Sequence, residues 1–146
     1  MEYCSHSAEE TEQAGARYAA TLSPGDVVTL DGDLGAGKTA FARGVLRGLG
    51  YGGRVTSPTF AIANEYETAA GDVAHFDMYR ILDEEALWEL GFEDYLDGAR
   101  ILLIEWSGNI AGALPARYKT VSIAYGAAPD SRIITTGEVG YENPEL

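Results

Sequence analysis

The spacing of apolar and polar positions changes several times along this chain, and each change marks an element. Ser7 and Glu10 match a capping box, in which each side chain serves an exposed amide at a helix start. Ala14, Tyr18 and Leu22 follow at every fourth position, so a first helix is expected to run to about Leu22. Pro24-Gly25 breaks it with a turn. Asp26 to Asp31 (DVVTLD) is a short run rich in β-branched residues, the pattern of a buried strand. The next segment, GDLGAGKTAFARGVLRGLG, passes from glycine-rich loop to helix. Phe41, Val45, Leu46 and Leu49 share one helical face and Arg43 and Arg47 lie off it, with Gly50 suited to closing the helix at positive φ.

From Val55 to Tyr79 the pattern is mostly extended. Pro58 disfavours the α region at Ser57, which makes Ser57-Pro58-Thr59 a constrained loop. Phe60, Ile62, Asn64 and Tyr66 alternate with smaller residues, Ala70-Gly71-Asp72 reads as a hairpin turn, and Val73 to Tyr79 returns. Asp83 to Leu90 reads as a helix ended by Gly91, with a second short helix before Gly98. Ile101 to Ile104 is a continuous apolar run and a central-strand candidate. Val121, Ile123 and Tyr125, then Ile133 and Ile134, predict a closing pair of strands. Gly137 to Leu146 reads as an acidic, mobile tail. The sum is one α/β domain over residues 1–146, with a mixed, largely parallel central sheet flanked by helices.

Composition narrows the function. A chain of 146 residues with 46% hydrophobic residues is long enough to bury a core without staples. The 23 acidic residues outnumber the 10 basic ones, for a formal net charge of −13. Such a surface repels nucleic acid at long range, and no basic stripe is visible, so work near RNA needs a partner to supply positive surface. The single cysteine, Cys4, excludes an internal disulfide. Neither a leader-like N-terminus nor a membrane-length apolar run is present, and a cytoplasmic protein is expected. Cys4 and His6 are read as part of a frayed terminus, and Trp88 and Trp106 as core or interface residues.

The chemistry centres on Gly32-Asp33-Leu34-Gly35-Ala36-Gly37-Lys38-Thr39, which fits G-x-x-x-x-G-K-[ST] without a mismatch. Glycines let the backbone curl so that successive N–H groups point at phosphate oxygens, and the following helix turns its positive end to the same anion. Lys38 supplies a point charge for the outer phosphates and is expected to face solvent without nucleotide. The Thr39 hydroxyl is a Mg²⁺ ligand of the usual type. A predicted strand before the loop and an amphipathic helix after it complete the P-loop NTPase context.

Such sites need a carboxylate at the end of another strand. Glu105, after the run Ile101 to Ile104, is the candidate. If both apolar runs are parallel central strands, Glu105 and Gly32 emerge at one carboxyl edge, where ligands sit in open α/β folds. In His75-Phe76-Asp77-Met78-Tyr79, the residues His75, Asp77 and Tyr79 share one face of a strand. Asp77 is either a catalytic acid or part of an exposed sheet face. Thr59 is either a switch threonine or a turn former.

Taken together, GDLGAGKTAFARG, VTSPTFAIANEY, HFDMYRI, ALWELGFEDYL and LLIEW resemble the TsaE family, small bacterial ATPases of tRNA threonylcarbamoyladenosine formation. The resemblance spans about Ser7 to Ile134. It implies that Leu34, Gly35, Ala36, Gly37, Lys38 and Thr39 bind ATP phosphates, and that Thr39 and Glu105 hold Mg²⁺. It implies catalytic roles for Asp77, Glu105 and Lys38, a nucleotide-sensitive switch at Thr59, a nucleotide contact from Arg132, and a place near the base for Thr11. It further implies TsaD-like and TsaB-like partners, with tRNA reached only through the complex. The chain departs from the family pattern at Ala40, where a second Thr or Ser is common, and at Ser107-Gly108, where many members carry a further acid. A small-molecule kinase uses the same loop but normally adds an arginine cluster, which is not evident here. A GTPase lacks support, because no N-K-x-D segment occurs. A nucleotide-gated binding module with incidental hydrolysis stays open.

Overall fold

The computed structural model describes residues 2–32, 37–53, 63–78, 84–89, 91–96, 98–105 and 112–140. In chain order these form β1 (Glu2–Ser5), α1 (Ala8–Ala19), β2 (Val27–Gly32), α2 (Lys38–Gly48), β3 (Ala63–Thr68), β4 (Gly71–Asp77) and α3 (Glu84–Glu89). A 3₁₀ turn (Phe92–Leu96), β5 (Ile101–Glu105), β6 (Tyr118–Tyr125) and β7 (Arg132–Val139) complete them. All seven strands join one sheet in the order β1-β7-β6-β2-β5-β4-β3. The four central strands β6, β2, β5 and β4 run parallel, and both edges are antiparallel. This is the mixed α/β sheet the pattern predicts.

Alternation along the strands sorts the core into two layers. Val28 and Leu30 of β2, Val73 of β4, Ile101 and Leu103 of β5 and Val121 and Ile123 of β6 pack with Ala14, Phe41, Val45 and Leu46 of α1 and α2. Val27, Ala74, Phe76, Leu102 and Ile104 face the opposite side, where Leu87 of α3 and Phe92 cover them. The Phe76 ring meets Phe92 edge-on at 5.2 Å and Tyr95 at 4.9 Å. Helices α1 and α2 pack backbone to backbone. A Cβ at Gly15 or Gly44 would collide with the carbonyl oxygen of Phe41 or Glu12, and one at Gly48 would lie 2.6 Å from that of Ala16.

Three expectations about boundaries need correction. The N-terminus is not frayed: Glu2 to Ser5 pair with Thr135 to Arg132 as an edge strand. A four-residue strand has too few positions to show a period, so only its partner reveals it. Helix α1 ends at Ala19 rather than Leu22, because the N–H of Ala20 turns back to Arg17 O and that of Thr21 to Tyr18 O. At the other end, Gly137 to Val139 belong to β7, paired with Thr120 to Tyr118, where a mobile tail was expected to begin. Ser7 caps α1 as expected, its Oγ accepting from Glu10 N at 3.1 Å, while the return bond to Glu10 Oε1 comes from the N–H of His6 at 3.3 Å rather than from Ser7. Trp88 is 41% exposed on α3, tilted against Phe92 at 5.9 Å. Among the described residues, no helix is long and apolar enough to cross a membrane.

Candidate functional site

Strand β2 delivers Gly32 to the carboxyl edge of the sheet, and α2 starts at Lys38 behind Gly37, which holds φ 115°. A left-handed residue at that point reverses the chain into the helix, a conformation glycine adopts without a Cβ penalty. Leu34, Gly35 and Ala36 lie outside the described residues, as does Thr59. Lys38 is not solvent-facing as expected. It is only 5% exposed, and its Nζ donates to Gly32 O at 2.6 Å. The physical reason is helical geometry: a side chain in the first turn leans toward the N-terminus, here back over the end of β2. The bond ties the two ends of the glycine-rich segment together through the ammonium group. Thr39, the second residue of α2, is half-buried.

The acids stand where parallel pairing puts them. Leu30 of β2 is opposite Glu105 of β5, and Asp77 of β4 is opposite Glu105 on the other side. Glu105, Asp77 and Gly32 therefore end three adjacent strands at one edge. By alternation His75, Asp77 and Glu105 lie on the face covered by α1 and α2, since Val73 and Leu103 on the same rows pack there. His75 is fully buried, which removes the exposed-sheet-face reading for that residue, while Asp77 at the strand end is half-buried.

Glu105 is only 3% exposed. A buried carboxylate needs a donor, and its Oε2 has one in His75 Nε2 at 2.5 Å. The Nδ1 of His75 finds no hydrogen-bond partner among the described residues. Its tautomer follows from the network: the ring proton is assigned to Nε2, where the carboxylate accepts it. In the sequence His75 shares a strand face with Asp77 but has no task of its own. The available signal was its position two residues before Asp77 on the same row.

Magnesium takes oxygen ligands, keeps several waters, and is commonly held by one or two carboxylates beside substrate phosphates. The Thr39 hydroxyl and the carboxylates of Glu105 and Asp77 are donors of that kind. No group of three or more His, Cys, Asp or Glu residues among the described ones forms a closed metal cage.

Beside the N-terminus of α2 lies a cavity of about 340 Å³ lined by Ser7, Ala8, Thr11, Gly37, Ala40, Asp130 and Arg132. It unites Thr11, Gly37 and Arg132, which sequence reading could connect only through family resemblance. Thr11 is buried, its hydroxyl paired with Ser5 Oγ at 2.7 Å, and its methyl lies 3.5 Å from where a Gly37 Cβ would sit. Arg132 is braced from behind: its Nη1 donates to Pro129 O and Ser131 O, both at 2.9 Å, and its guanidinium lies over the Tyr125 ring at 4.5 Å. Ala40, where the family pattern leads one to expect a hydroxyl, lines this cavity.

Comparisons with known proteins bear on the family and the fold. The family model described as Threonylcarbamoyl adenosine biosynthesis protein TsaE matches residues 5–134. A Bacillus subtilis protein named tRNA threonylcarbamoyladenosine biosynthesis protein TsaE is 42% identical over 132 residues, covering 90% of this chain and 82% of that one. A Treponema pallidum protein of the same name is 35% identical over 123 residues, covering 84% and 90%. The crystal structure of Bacillus subtilis YdiB superposes with a TM-score of 0.77 at 35% identity, over 97% of this chain and 86% of that one. The chain belongs to the TsaE family of tRNA threonylcarbamoyladenosine biosynthesis proteins.

Proposed function

We propose that this protein is a Mg²⁺-dependent ATPase, weak in isolation, that supports formation of the threonylcarbamoyl group on tRNA adenosine at position 37 together with TsaD-like and TsaB-like partners. The observation that carries the reading is the alignment of Gly32, Asp77 and Glu105 at one edge of parallel strands, with Lys38 folded over it. In this reading the amides of Leu34 to Thr39 cradle the phosphates, and Lys38 exchanges its bond to Gly32 O for a phosphate oxygen. Thr39 and Glu105 hold Mg²⁺, which when bound neutralises charge developing on the phosphoryl oxygens. Asp77, less buried and at the end of the neighbouring strand, orients the attacking water. Arg132 and Thr11 line the nucleoside side, and Thr59 belongs to a segment that responds to the nucleotide.

Charge supports the division of labour. With 23 acidic against 10 basic residues, and Lys38, Lys119 and Arg132 already engaged, few cations remain to neutralise a tRNA backbone. The test is reconstitution. tRNA binding at near-physiological salt and phosphate release are measured for the chain alone and with TsaD-like and TsaB-like proteins. Expected are negligible tRNA binding and slow release alone, and faster release in the assembly. Tight tRNA binding alone, or a release rate indifferent to the partners, refutes the proposal.

A further inference from the structure

The pair His75–Glu105 is the most deeply buried polar pair at the edge just described, and nothing in the hydrolysis scheme uses the histidine. We infer that His75 is a positioning residue: its Nε2–H holds one oxygen of Glu105 and so presents the other for metal binding. The inference rests on the proposed role of Glu105 as a metal carboxylate.

Three observations carry it. First, the strand register makes the contact a diagonal one. His75 is opposite Leu103 on β5, two residues before Glu105, so the imidazole reaches along the sheet toward the strand end rather than straight across. Second, the pair is dry: His75 is 0% and Glu105 3% exposed. With little water present, a carboxylate is oriented by whatever protein donor it meets, and this donor sits on a rigid central strand. Third, the ring spends one nitrogen on Glu105 and leaves Nδ1 without a partner among the described residues. A buried histidine kept only to fill space could be replaced by an apolar residue without stranding a nitrogen, so the contact to Glu105 is what its polarity serves. Outer-shell partners of this kind, hydrogen-bonded to a metal-binding side chain, shift metal affinity or activity by about 10- to 100-fold when removed.

The experiment compares His75→Gln with His75→Met, which are close in shape but differ in carrying an amide donor. Mn²⁺ affinity is read by electron paramagnetic resonance in the presence of ADP, and ADP affinity is read separately in EDTA. Thermal melts monitor folding. Expected for His75→Met is Mn²⁺ binding weaker by about 10- to 100-fold with metal-free ADP binding unchanged, and substantial recovery in His75→Gln. In a Glu105→Gln background the His75→Met change should add little further loss. Equal Mn²⁺ affinity in wild type and His75→Met, or equal losses in the Met and Gln variants, overturns the inference. If Glu105→Gln itself leaves Mn²⁺ affinity untouched, the metal role of Glu105 fails instead. Should His75→Met not fold, wild-type protein labelled with ¹⁵N-histidine decides the matter. The Nε2–H resonance of His75 should move when Mg²⁺ is added to the ADP-bound protein, and a resonance indifferent to Mg²⁺ overturns the inference.

Discussion

Substituting Gly44 by alanine sets two opposing effects against each other, and the structure decides between them. In the middle of α2, alanine is favoured over glycine by about 1 kcal/mol of helix propensity. Against that gain, the new methyl would be driven into the carbonyl oxygen and carbon of Glu12 in α1. Backbone atoms cannot rotate away, and the same helix pair is held close by Gly15 and Gly48, so the whole of α1 must move. Overpacking in a fitted core costs about 1–3 kcal/mol, and a backbone collision belongs at or above the upper end of that range. The net destabilisation is therefore about 2 kcal/mol. For a domain of this size that lowers Tm by about 6–8 °C, taking roughly 3–4 °C per kcal/mol. Displacing α1 also carries Thr11 away from Gly37 and opens the cavity beside the N-terminus of α2. The assay is a calorimetric melt beside Gly52→Ala as control, since a Cβ at Gly52 meets nothing within 4 Å. An unchanged or raised Tm for Gly44→Ala would show that propensity outweighs the helix contact and that the reasoning is wrong.

Other outcomes follow from the same contacts. Lys38→Ala should weaken ATP binding by roughly 10- to 150-fold through loss of a charge-assisted contact, measured by calorimetric titration. Unchanged affinity removes Lys38 from the phosphate site. Glu105→Ala should reduce Mg²⁺-dependent nucleotide binding and abolish hydrolysis, read as affinity with and without EDTA alongside phosphate release. Thr11→Val keeps the shape but leaves the buried Ser5 hydroxyl without its partner. Urea melts should show a loss of about 1–3 kcal/mol, and a stability equal to wild type contradicts that assignment.

Much of the molecule is legible in local pattern because the pattern there has one physical solution. The runs Val27 to Leu30 and Ile101 to Ile104 are apolar at every position but Thr29, and both are buried on both faces as central parallel strands. The glycine-rich segment ahead of Phe41, Val45 and Leu46 declares a strand–loop–helix unit. From those two readings the shared edge of Gly32 and Glu105 follows, and the parallel register bears it out. What stayed hidden depends on distant partners. β1 exists only through β7, which is more than 120 residues away in sequence. His75 alternates with Phe76 on β4, but alternation alone does not tell which face a helix will cover. The position of Lys38 depends on the carbonyl of Gly32 at the end of β2, over which its side chain leans. The cavity joining Thr11 to Arg132 likewise needs both α1 and the β1–β7 edge to be in place.

The central claim is that the carboxyl edge of this sheet hydrolyses ATP rather than merely holding it, with Asp77 acting on the chemistry. The most direct measurement is phosphate release from Mg·ATP by wild type and by Asp77→Ala, with nucleotide affinity determined on the same samples. Orienting a reacting group is worth large factors when geometry is lost, about 100-fold for a displacement of 1 Å. The account predicts that Asp77→Ala binds ATP within about threefold of wild type while its release rate falls by about 100-fold or more. Normal release by Asp77→Ala, or a wild-type rate no higher than that of Asp77→Ala, would contradict it.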